Sequence, residues 1–417
     1  MISYNKSKII LKKSIIKIGE EFINTNKCLN RVTSKNIYVH SYYPLGNNAA
    51  FDGYALKSSD TYKLNKKIYQ KFKIIGSIAA GNKPIKKKIK KFETVEIMTG
   101  ALIPRSFDTI IPIEQINFYP NKKNAKYILL NKKITKFEHV RFKGSDYKKG
   151  DLLISQGTIL QPNHILALKT LGIKKIKVKK KPNILFFSTG NEITNKEKIL
   201  EWEVRNSNCH YINSLNQNFL FNFKDGGILR DNHSNVFKSH INKMLKSKID
   251  IIITSGAVSA GKFDFVPSVV KKLKLSNYFK SVAIRPGKPI LFAKIRGKPK
   301  AIFGLPGNPI SSAACFRFFV YPYLRNLLGI KKENSFKASL KNEFEKKKDF
   351  TRFVKSKLST TKNGKLEVQI LKGQESFRIK SFIQSNIWVM LPSGKEKFKK
   401  GETVDCFFPN QSNKIFL

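Results

Sequence analysis

The stretch IIITSGAVSAGKFD, residues 251–264, decides the fold class of this chain. It opens with a run of isoleucines that has no polar face, which is typical of a strand buried on both sides of a sheet. The small residues that follow form a loop, and this loop runs toward a helix predicted at Pro267–Leu273. A buried strand, a glycine-containing loop and a helix in succession are the repeating unit of an α/β sheet.

The same unit recurs on both sides of this stretch. Further strands are predicted at Asn183–Ser188, Gly227–Leu229, Ser281–Ile284, Ile290–Lys294 and Lys300–Phe303, and further helices at Tyr211–Phe221, Val236–Leu245 and Ile310–Leu328. We therefore predict that residues 181–331 form an α/β domain with a mostly parallel sheet covered by helices on both faces. Ligands of such domains bind in the loops that follow the carboxyl ends of the strands.

The regions on either side are predicted to form separate domains. Residues 1–180 are an N-terminal and linker region, with a helix at Ile9–Phe22 and an inserted β-rich domain at about 41–145, indicated by short strands between Gly, Pro and Asn. Short strands return in residues 332–417 and predict a small C-terminal β-domain. The predicted fold class is an α/β central domain with α+β or β-rich N-terminal domains and a C-terminal β-domain.

The charge of the chain is strongly positive. It has 80 Lys and Arg against 28 Asp and Glu, a formal net charge of +52. Clustered cations could indicate a nucleic-acid partner. However, only eleven of the 80 are Arg, and the abundance of Lys, Ile, Asn and Phe is typical of a protein from an AT-rich genome. We favour compositional drift and expect no specific nucleic-acid partner, although a positive field attracts phosphate-bearing substrates.

The cysteines and the hydropathy indicate the compartment. Cys28, Cys209, Cys315 and Cys406 are far apart, and the six histidines are scattered without metal-ligand spacing. This pattern argues against a zinc cluster or a disulfide framework and fits a reducing cytosol. No segment approaches the roughly 20 apolar residues of a membrane span. We expect a soluble, cytoplasmic protein without a membrane partner.

The loop after the isoleucine run is a candidate phosphate site. Its small residues allow backbone N–H groups to close around an anion, and Thr254, Ser255 and Ser259 can donate further hydrogen bonds. Asp264 stands where it could hold a cation beside the phosphate. Taken alone, the loop is equally compatible with a plain strand–helix turn in which Asp264 caps the helix.

Other loops of the α/β region carry similar residues. Glu192 follows a strand in Ser188–Glu192, and a carboxylate there is a plausible Mg²⁺ ligand. Gly304–Pro309 is a stiff loop before a long helix, and Pro309 suits the first helical turn. Arg285–Pro289 contributes two cations, whereas Asp231 is either a further acid or a helix cap.

Three segments in the first half also place polar groups beside glycine. They are Asn47–Ala55 with Asp52, Met98–Ala101 with Thr99, and Arg141–Asp146. Their residue types alone are those of surface turns as often as of functional sites.

Together and in this order, these segments resemble the molybdopterin molybdenumtransferase family, the bacterial MoeA proteins and the E-domain of gephyrin. The resemblance covers essentially the whole chain. It implies an elongated four-part subunit that forms a homodimer, with the active cleft between the α/β domain of one subunit and the first-half domains of the other. The implied reaction joins molybdate to adenylylated molybdopterin and releases AMP, with Mg²⁺ or Zn²⁺. A molybdopterin adenylyltransferase is an implied further partner.

The resemblance also assigns roles to individual residues. The implied catalytic residues are Asp52, Thr99, Asp146, Glu192, Asp231 and Asp264, of which the last three would hold the metal and the first three would act from the partner subunit. The implied ligand-binding residues are Thr254, Ser255, Gly256, Ser259, Arg285, Lys288, Pro306, Gly307, Asn308, Pro309, Arg352 and Ser381.

The chain departs from the family pattern at a few positions. Ala257 stands where a second Gly is usual, and its methyl group has a cost only if φ is positive. Lys262 replaces a residue that is often acidic, Asn191 replaces a common Asp, and Phe51 replaces a usual Met. The carboxylates implied to bind metal are present.

Three other functions remain open from the sequence. A molybdopterin adenylyltransferase shares the α/β domain, but that enzyme does not need the first half or the last domain. A non-catalytic scaffold or anion-binding protein is a second alternative, and nucleic-acid binding driven by charge is the third.

Overall fold

The computed structural model describes residues 1–215, 220–258 and 264–409. The chain forms two compact units, and each is described by itself. The first unit comprises Met1–Lys35, Ser155–Leu166 and Lys174–Leu417, and the second comprises Asn36–Ile154 and Ala167–Ile173. The boundaries predicted at 180 and 331 stay predictions.

The elements up to the end of the first half are short. In chain order they are α1 (Tyr4–Lys13), β1 (Glu20–Asn24), β2 (Ile37–Tyr38), β3 (Asn48–Ala49), β4 (Gly53–Leu56), β5 (Gln70–Ile78), β6 (Glu93–Ile97), β7 (Thr109–Pro112), β8 (Asn117–Tyr119), β9 (Tyr127–Leu130), β10 (Val140–Arg141), β11 (Leu152–Ile154), α2 (Pro162–Thr170) and β12 (Lys175–Lys179).

The elements of the second half follow. They are β13 (Asn183–Thr189), β14 (Ile193–Thr194), β15 (Val204–Arg205), α3 (Ser207–Leu215), β16 (Asn222–Leu229), α4 (Ser234–Leu245), β17 (Ile251–Ser255), α5 (Phe265–Lys271), β18 (Leu275–Lys280), β19 (Ile284–Arg285), β20 (Leu291–Ile295), β21 (Ala301–Leu305), α6 (Pro309–Cys315), α7 (Tyr321–Leu327), β22 (Phe336–Leu340), β23 (Phe344–Glu345), β24 (Thr351–Thr360), β25 (Leu366–Ile370), α8 (Ile379–Gln384), β26 (Ile387–Leu391), β27 (Lys397–Phe398) and β28 (Thr403–Phe407).

The central sheet of the first unit has the strand order β16-β13-β17-β21-β20-β18. Its first four strands pair in parallel, whereas β20 pairs antiparallel with both β21 and β18. The sheet is therefore mixed, and the parallel pairing that we predicted is confined to β16, β13, β17 and β21. The reason is local, because a short turn between β20 and β21 leaves no room for the crossover that parallel neighbours require.

The middle strands explain why the sheet is covered on both faces. All five residues of β17 are buried, and successive side chains of a strand point to opposite faces. Ile251 and Ile253 join one apolar cluster with residues of α3 and α6, whereas Ile252 joins another with residues of α4 and α5. The α/β layering expected from the isoleucine run is therefore present.

Two of the differences between the predicted and the observed helix bounds change the fold description. The predicted helix Ile9–Phe22 is wrong in its second half, because α1 ends at Lys13 and Phe22 lies in β1, which pairs antiparallel with β12. The predicted helix Ile310–Leu328 consists of α6 and α7 joined by a π-helical turn at Phe316–Val320. Pro309 is its first residue, as expected.

The last strands of the first unit form a closed barrel. The strand order is β19-β24-β25-β22-β28-β26, and β26 also pairs with β24, so that five strands form a closed ring. Closure removes the free strand edges, and the interior is filled by apolar side chains such as Val354, Val368 and Val389. The two-residue strand β19 pairs with β24 in parallel and so connects residues 284–285 to this barrel.

The second unit is rich in β-structure. Its sheet has the order β7-β4-β6-β5-β9-β8, and only β5 and β6 pair in parallel. Two apolar clusters fill it, one around Val95 and Ile97 and the other around Phe72 and Ile128. Over the described part of the whole chain, no helix has the length and apolar character needed to cross a membrane.

Candidate functional site

Three loops meet at one edge of the central sheet. They follow β13, β17 and β21, which are parallel neighbours, and the register pairs Ser188 with Ser255 and Ser255 with Leu305. Since the carboxyl ends of the three strands lie side by side, the Thr189, Ser255 and Pro306 loops are neighbours. This edge is where ligands bind in open α/β sheets.

Hydrogen bonds tie these loops to one another. The Thr189 hydroxyl donates to the Ser255 carbonyl at 3.0 Å, and the Gly256 N–H donates to the Leu305 carbonyl at 2.9 Å. The Ser255 hydroxyl lies 3.3 Å from the Pro306 carbonyl and can donate to it. The loops therefore form one connected edge of backbone and hydroxyl groups.

Two asparagines that we did not single out from the sequence complete this edge. The Asn208 side-chain amide donates to the Ser255 hydroxyl and to the Gly307 carbonyl, both at 2.7 Å. Asn206 accepts a hydrogen bond from the Ser188 hydroxyl. Both lie at the start of α3, where Asn is usually interpreted as a helix-start residue, so the sequence carries no separate signal for them.

Two residues in the described part of the loop after β17 have positive φ. Gly256 has φ +101°, and a Cβ atom at this position would lie 2.4 Å from the Thr189 carbonyl oxygen. Ala257 has φ +51°, so its backbone lies in the left-handed region. This conformation costs roughly 1–2 kcal/mol for a residue that has a Cβ atom. Ser259, predicted to bind phosphate, lies outside the described residues, as does Lys262.

The carboxylates predicted to hold metal lie on different loops. Glu192 is exposed and Asp231 is half-buried, and the Asp231 N–H donates to the Asn191 side chain at 3.1 Å. Asp264 directly precedes α5, and its side chain does not cap that helix. Among the described residues, no group of three His, Cys, Asp or Glu side chains is arranged to hold a metal ion.

Thr254 differs from its neighbours in the same segment. Its side chain is fully buried, and within the described ranges its hydroxyl has no hydrogen-bond partner. Ser255 is also buried but uses its hydroxyl between the loops. The role predicted for Thr254 in phosphate binding stays a prediction.

Two arginines predicted from distant segments lie side by side. Strand β19 pairs Arg285 with Arg352 of β24. Burial and the like charge of Arg285 both lower the pKa of Arg352. Each guanidinium also stacks on a ring, Arg285 on Phe350 at 5.6 Å and Arg352 on Phe344 at 5.3 Å. Two neighbouring cations of this kind favour an anion as ligand.

The segment Gly373–Arg378 connects Ser381 to the Pro306–Pro309 loop. The buried Ser381 hydroxyl donates to the Gly373 carbonyl at 2.6 Å. The Asn308 side chain donates to the Ser376 hydroxyl at 3.1 Å. The structure therefore brings residues of the barrel and of the sheet edge into contact.

Lys355 binds the segment Gly373–Arg378 through hydrogen bonds to its backbone. Its ammonium group donates to the carbonyls of Gly373, Glu375 and Arg378 at 2.7–3.2 Å, and the side chain is 1% exposed. Burial lowers the pKa of Lys355 to about 8. Lys355 was not predicted, because a lysine in a Lys-rich sequence carries no signal. Lys288, which was predicted, is exposed.

In the second unit, Asp52 and Thr99 form a pair. The Thr99 N–H and hydroxyl donate to the same oxygen of Asp52 at 2.6 and 2.8 Å, and these bonds hold the pKa of Asp52 below its ordinary value. Asp52 is therefore ionised at neutral pH. Asp146 is exposed, and no hydrogen bond or ion pair between described residues joins its carboxylate to this pair.

We expect Thr99→Val to raise the pKa of Asp52 toward its ordinary value, because the hydroxyl donor is lost while the N–H donor remains. A carboxyl group whose pKa is lower in the folded than in the unfolded protein stabilises the fold at pH values above its unfolded-state pKa. This stabilisation is lost as the pH falls through the folded-state pKa. Carbon-detected NMR titration of the Asp52 carboxyl measures the change. Thr109→Val in the same sheet is the control and should leave the Asp52 titration unchanged.

The fold and the sheet edge define an α/β domain with a ligand-binding edge at the carboxyl ends of its parallel strands. Three family models match this chain. They are the MoeA N-terminal region (domain I and II) over residues 2–172, the probable molybdopterin binding domain over residues 186–326, and the MoeA C-terminal region (domain IV) over residues 337–407.

Similar proteins span nearly the same length. A molybdopterin molybdenumtransferase of Staphylococcus aureus (strain COL) is 32% identical over 384 residues, covering 91% of this chain and 88% of the relative. One from Staphylococcus epidermidis is 30% identical over 97% of this chain and 94% of the relative. The crystal structure of a molybdopterin biosynthesis moeA protein from Pyrococcus horikoshii superposes with a TM-score of 0.82 at 25% identity, over 98% of this chain and 100% of that chain.

The chain belongs to the molybdopterin molybdenumtransferase family. The family resemblance inferred from the sequence is confirmed. The three matched regions also confirm the coarse architecture of N-terminal domains, an α/β domain and a C-terminal domain.

Proposed function

We propose that this protein is an enzyme of molybdenum cofactor biosynthesis that joins molybdate to adenylylated molybdopterin and releases AMP. The observation that carries the proposal is the connected edge formed by the loops after β13, β17 and β21. Its hydrogen bonds hold three loops together at the carboxyl ends of parallel strands, which is where ligands of open α/β sheets bind. The relatives named molybdopterin molybdenumtransferase support this choice over the alternatives.

The sheet edge would bind the phosphate link between pterin and AMP. Ser255 and Gly256 lie at its centre, and Gly307 is linked to Ser255 through Asn208. The Gly256 N–H already donates to the Leu305 carbonyl. We propose that other N–H groups of these loops, held in place before the substrate arrives, stabilise the charge that develops on a phosphate oxygen. Ser259, Pro306, Asn308 and Pro309 belong to the same loops and are proposed to act with them.

The cations would hold molybdate. Arg285 and Arg352 lie on paired strands, and Lys288 follows Arg285 in the same loop. Guanidinium groups present several N–H donors in a fixed plane, which suits a tetrahedral oxyanion. Ser381 is held beside the segment that contacts Asn308, so it is proposed to orient the anion site.

A divalent cation is proposed at Glu192, Asp231 and Asp264. Mg²⁺ commonly uses one or two protein carboxylates and completes its shell with water and substrate phosphate oxygens, so a preformed cluster of three is not required. The oxygen donors suit Mg²⁺ better than Zn²⁺, which prefers His and Cys. When bound, the cation would neutralise charge on the phosphate link.

We further propose a homodimer in the cytoplasm, with Asp52, Thr99 and Asp146 acting from the partner subunit. The four cysteines are buried, and within the described ranges none of them forms a disulfide, which fits a reducing compartment. A molybdopterin adenylyltransferase that supplies the substrate would be a transient partner.

The test is to incubate the purified protein with adenylylated molybdopterin and Mg²⁺, with and without molybdate. We expect AMP release that depends on molybdate. Incubation with molybdopterin and ATP is the matched control, and it should give no adenylylated product. Formation of that product would instead support an adenylyltransferase, and a lack of AMP release under all conditions would contradict the proposal.

A further inference from the structure

Arg230 links two of the loops that carry acidic residues. It directly follows β16 and directly precedes Asp231. Its Nη1 atom lies 2.5 Å from the carbonyl oxygen of Asn191, 3.0 Å from that of Ile193 and 3.4 Å from that of Gly190. One guanidinium therefore contacts three backbone carbonyls of the loop that carries Glu192.

Other hydrogen bonds strengthen the same connection. The Gly190 N–H donates to the Leu229 carbonyl at 3.1 Å, and the Asp231 N–H donates to the Asn191 side chain at 3.1 Å. The two loops are thus joined on both sides of Arg230. A change in one loop would move the backbone of the other.

The position of the Glu192 carboxylate depends on this loop. A Cβ atom on Gly190 would lie 2.4 Å from one Glu192 carboxylate oxygen and 2.6 Å from the other, so the carboxylate rests against the Gly190 backbone. The carbonyls that contact Arg230 flank Glu192 on both sides. The guanidinium therefore holds the part of the backbone that sets the direction of the Glu192 side chain.

We infer that Arg230 is a positioning residue that fixes Glu192 relative to Asp231 for binding a divalent cation. The inference rests on the proposed function, because that function assigns a cation to these carboxylates. Arginine is suited to this task because its planar group carries several N–H donors in a fixed geometry, whereas lysine has one compact ammonium group on a flexible stem. Residues that orient metal ligands typically change metal affinity about 10- to 100-fold when they are replaced.

The test compares Arg230→Lys and Arg230→Gln with the wild-type protein. We expect the Mn²⁺ dissociation constant, measured by electron paramagnetic resonance without substrate, to rise about 10-fold or more in both variants. The Mg²⁺ concentration for half-maximal AMP release should rise similarly, while the KM for adenylylated molybdopterin stays within about 2-fold. The lysine variant keeps the charge and most of the length, so it carries the test if the glutamine variant does not fold.

The matched control is Arg205→Lys. The Arg205 side chain donates to one backbone carbonyl, that of Glu197, at 3.0 Å. Arg205→Lys is therefore the same substitution as Arg230→Lys, but at an arginine that contacts one carbonyl instead of three. We expect wild-type Mn²⁺ affinity for this control. Equal Mn²⁺ affinity in Arg230→Lys, Arg230→Gln and wild type would overturn the inference.

Hydrogen exchange separates this inference from the proposed function. In both Arg230 variants, the amides of Gly190, Ile193 and Asp231 should exchange about 10-fold faster than in wild type, because local opening becomes easier. If wild-type protein bound no Mn²⁺ or released no AMP, the proposed function would fail. Unchanged exchange at these amides in the variants would overturn the positioning role independently.

Discussion

Replacing Asp264 with asparagine should lower the rate of AMP release by about 100-fold or more, the size of effect seen when a single charge-stabilising group is lost. Asp264 directly precedes α5, and Asn serves as well as Asp at a helix start, so the helix should form normally. What is lost is the negative charge proposed to hold the cation beside the phosphate link. Single-turnover measurement of AMP release with saturating molybdate gives the rate.

Asp225→Asn is the matched control for this variant. Asp225 lies on β16 in the same unit, is exposed, and accepts a hydrogen bond from the Gly227 N–H at 2.8 Å, which asparagine can also accept. The charge change is the same, but it lies outside the proposed site. Equal rates for Asp264→Asn and Asp225→Asn would exclude Asp264 from the cation site.

Gly256→Ala should destabilise the protein by about 1–3 kcal/mol and lower AMP release by about 100-fold or more. The residue has φ +101°, and the added Cβ would lie 2.4 Å from the Thr189 carbonyl and 2.6 Å from the Thr189 hydroxyl. The backbone must move, and with it the N–H groups proposed to bind phosphate. Denaturant unfolding and the AMP assay together measure the two effects.

Gly401→Ala is the control that distinguishes backbone strain at positive φ from a steric clash of the added Cβ atom. Gly401 has φ +83°, so alanine is strained there too, but nothing lies within 4 Å of the added Cβ. We expect a stability loss of about 1 kcal/mol and normal AMP release. If Gly256→Ala turned over at the rate of Gly401→Ala, the loop after β17 would not contribute to phosphate binding.

The central strands were predictable because their sequences are locally unambiguous. Strand β17 covers Ile251–Ser255, which is the isoleucine run and the two residues after it. The run was predictable as a strand because consecutive apolar residues can be buried on two faces within a sheet. Helix α4, at Ser234–Leu245, begins two residues before its predicted start at Val236. Such elements depend on neighbouring residues alone.

Other elements depend on distant partners and were not predicted. Phe22 continues an apolar pattern that looks helical, but β1 pairs with β12, whose residues lie more than 150 positions along the chain. The two-residue strand β19 exists because β24 is available to pair with it. Tertiary pairing overrides local propensity at both places.

The candidate site also contains some residues that were predictable from the local sequence and others that were not. The loops containing Glu192, Ser255 and Asn308 were predicted because each follows a strand and contains residues suited to anions or metals. Asn208, Arg230 and Lys355 were missed, because each acts by donating to carbonyls of a segment that is remote in sequence. A backbone carbonyl carries no residue identity, so no sequence pattern marks the side chain that will bind it.

The residues in their local order were sufficient to predict the family, the α/β character of residues 251–264 and the loops that carry chemically active groups. Three other properties could be seen only in the folded chain: the sheet is mixed, Arg285 lies beside Arg352, and Ala257 has a positive φ. These properties arise from strand pairing and loop closure over long separations. The stability of such pairings depends on which distant segments contact each other, and the local sequence does not specify these contacts.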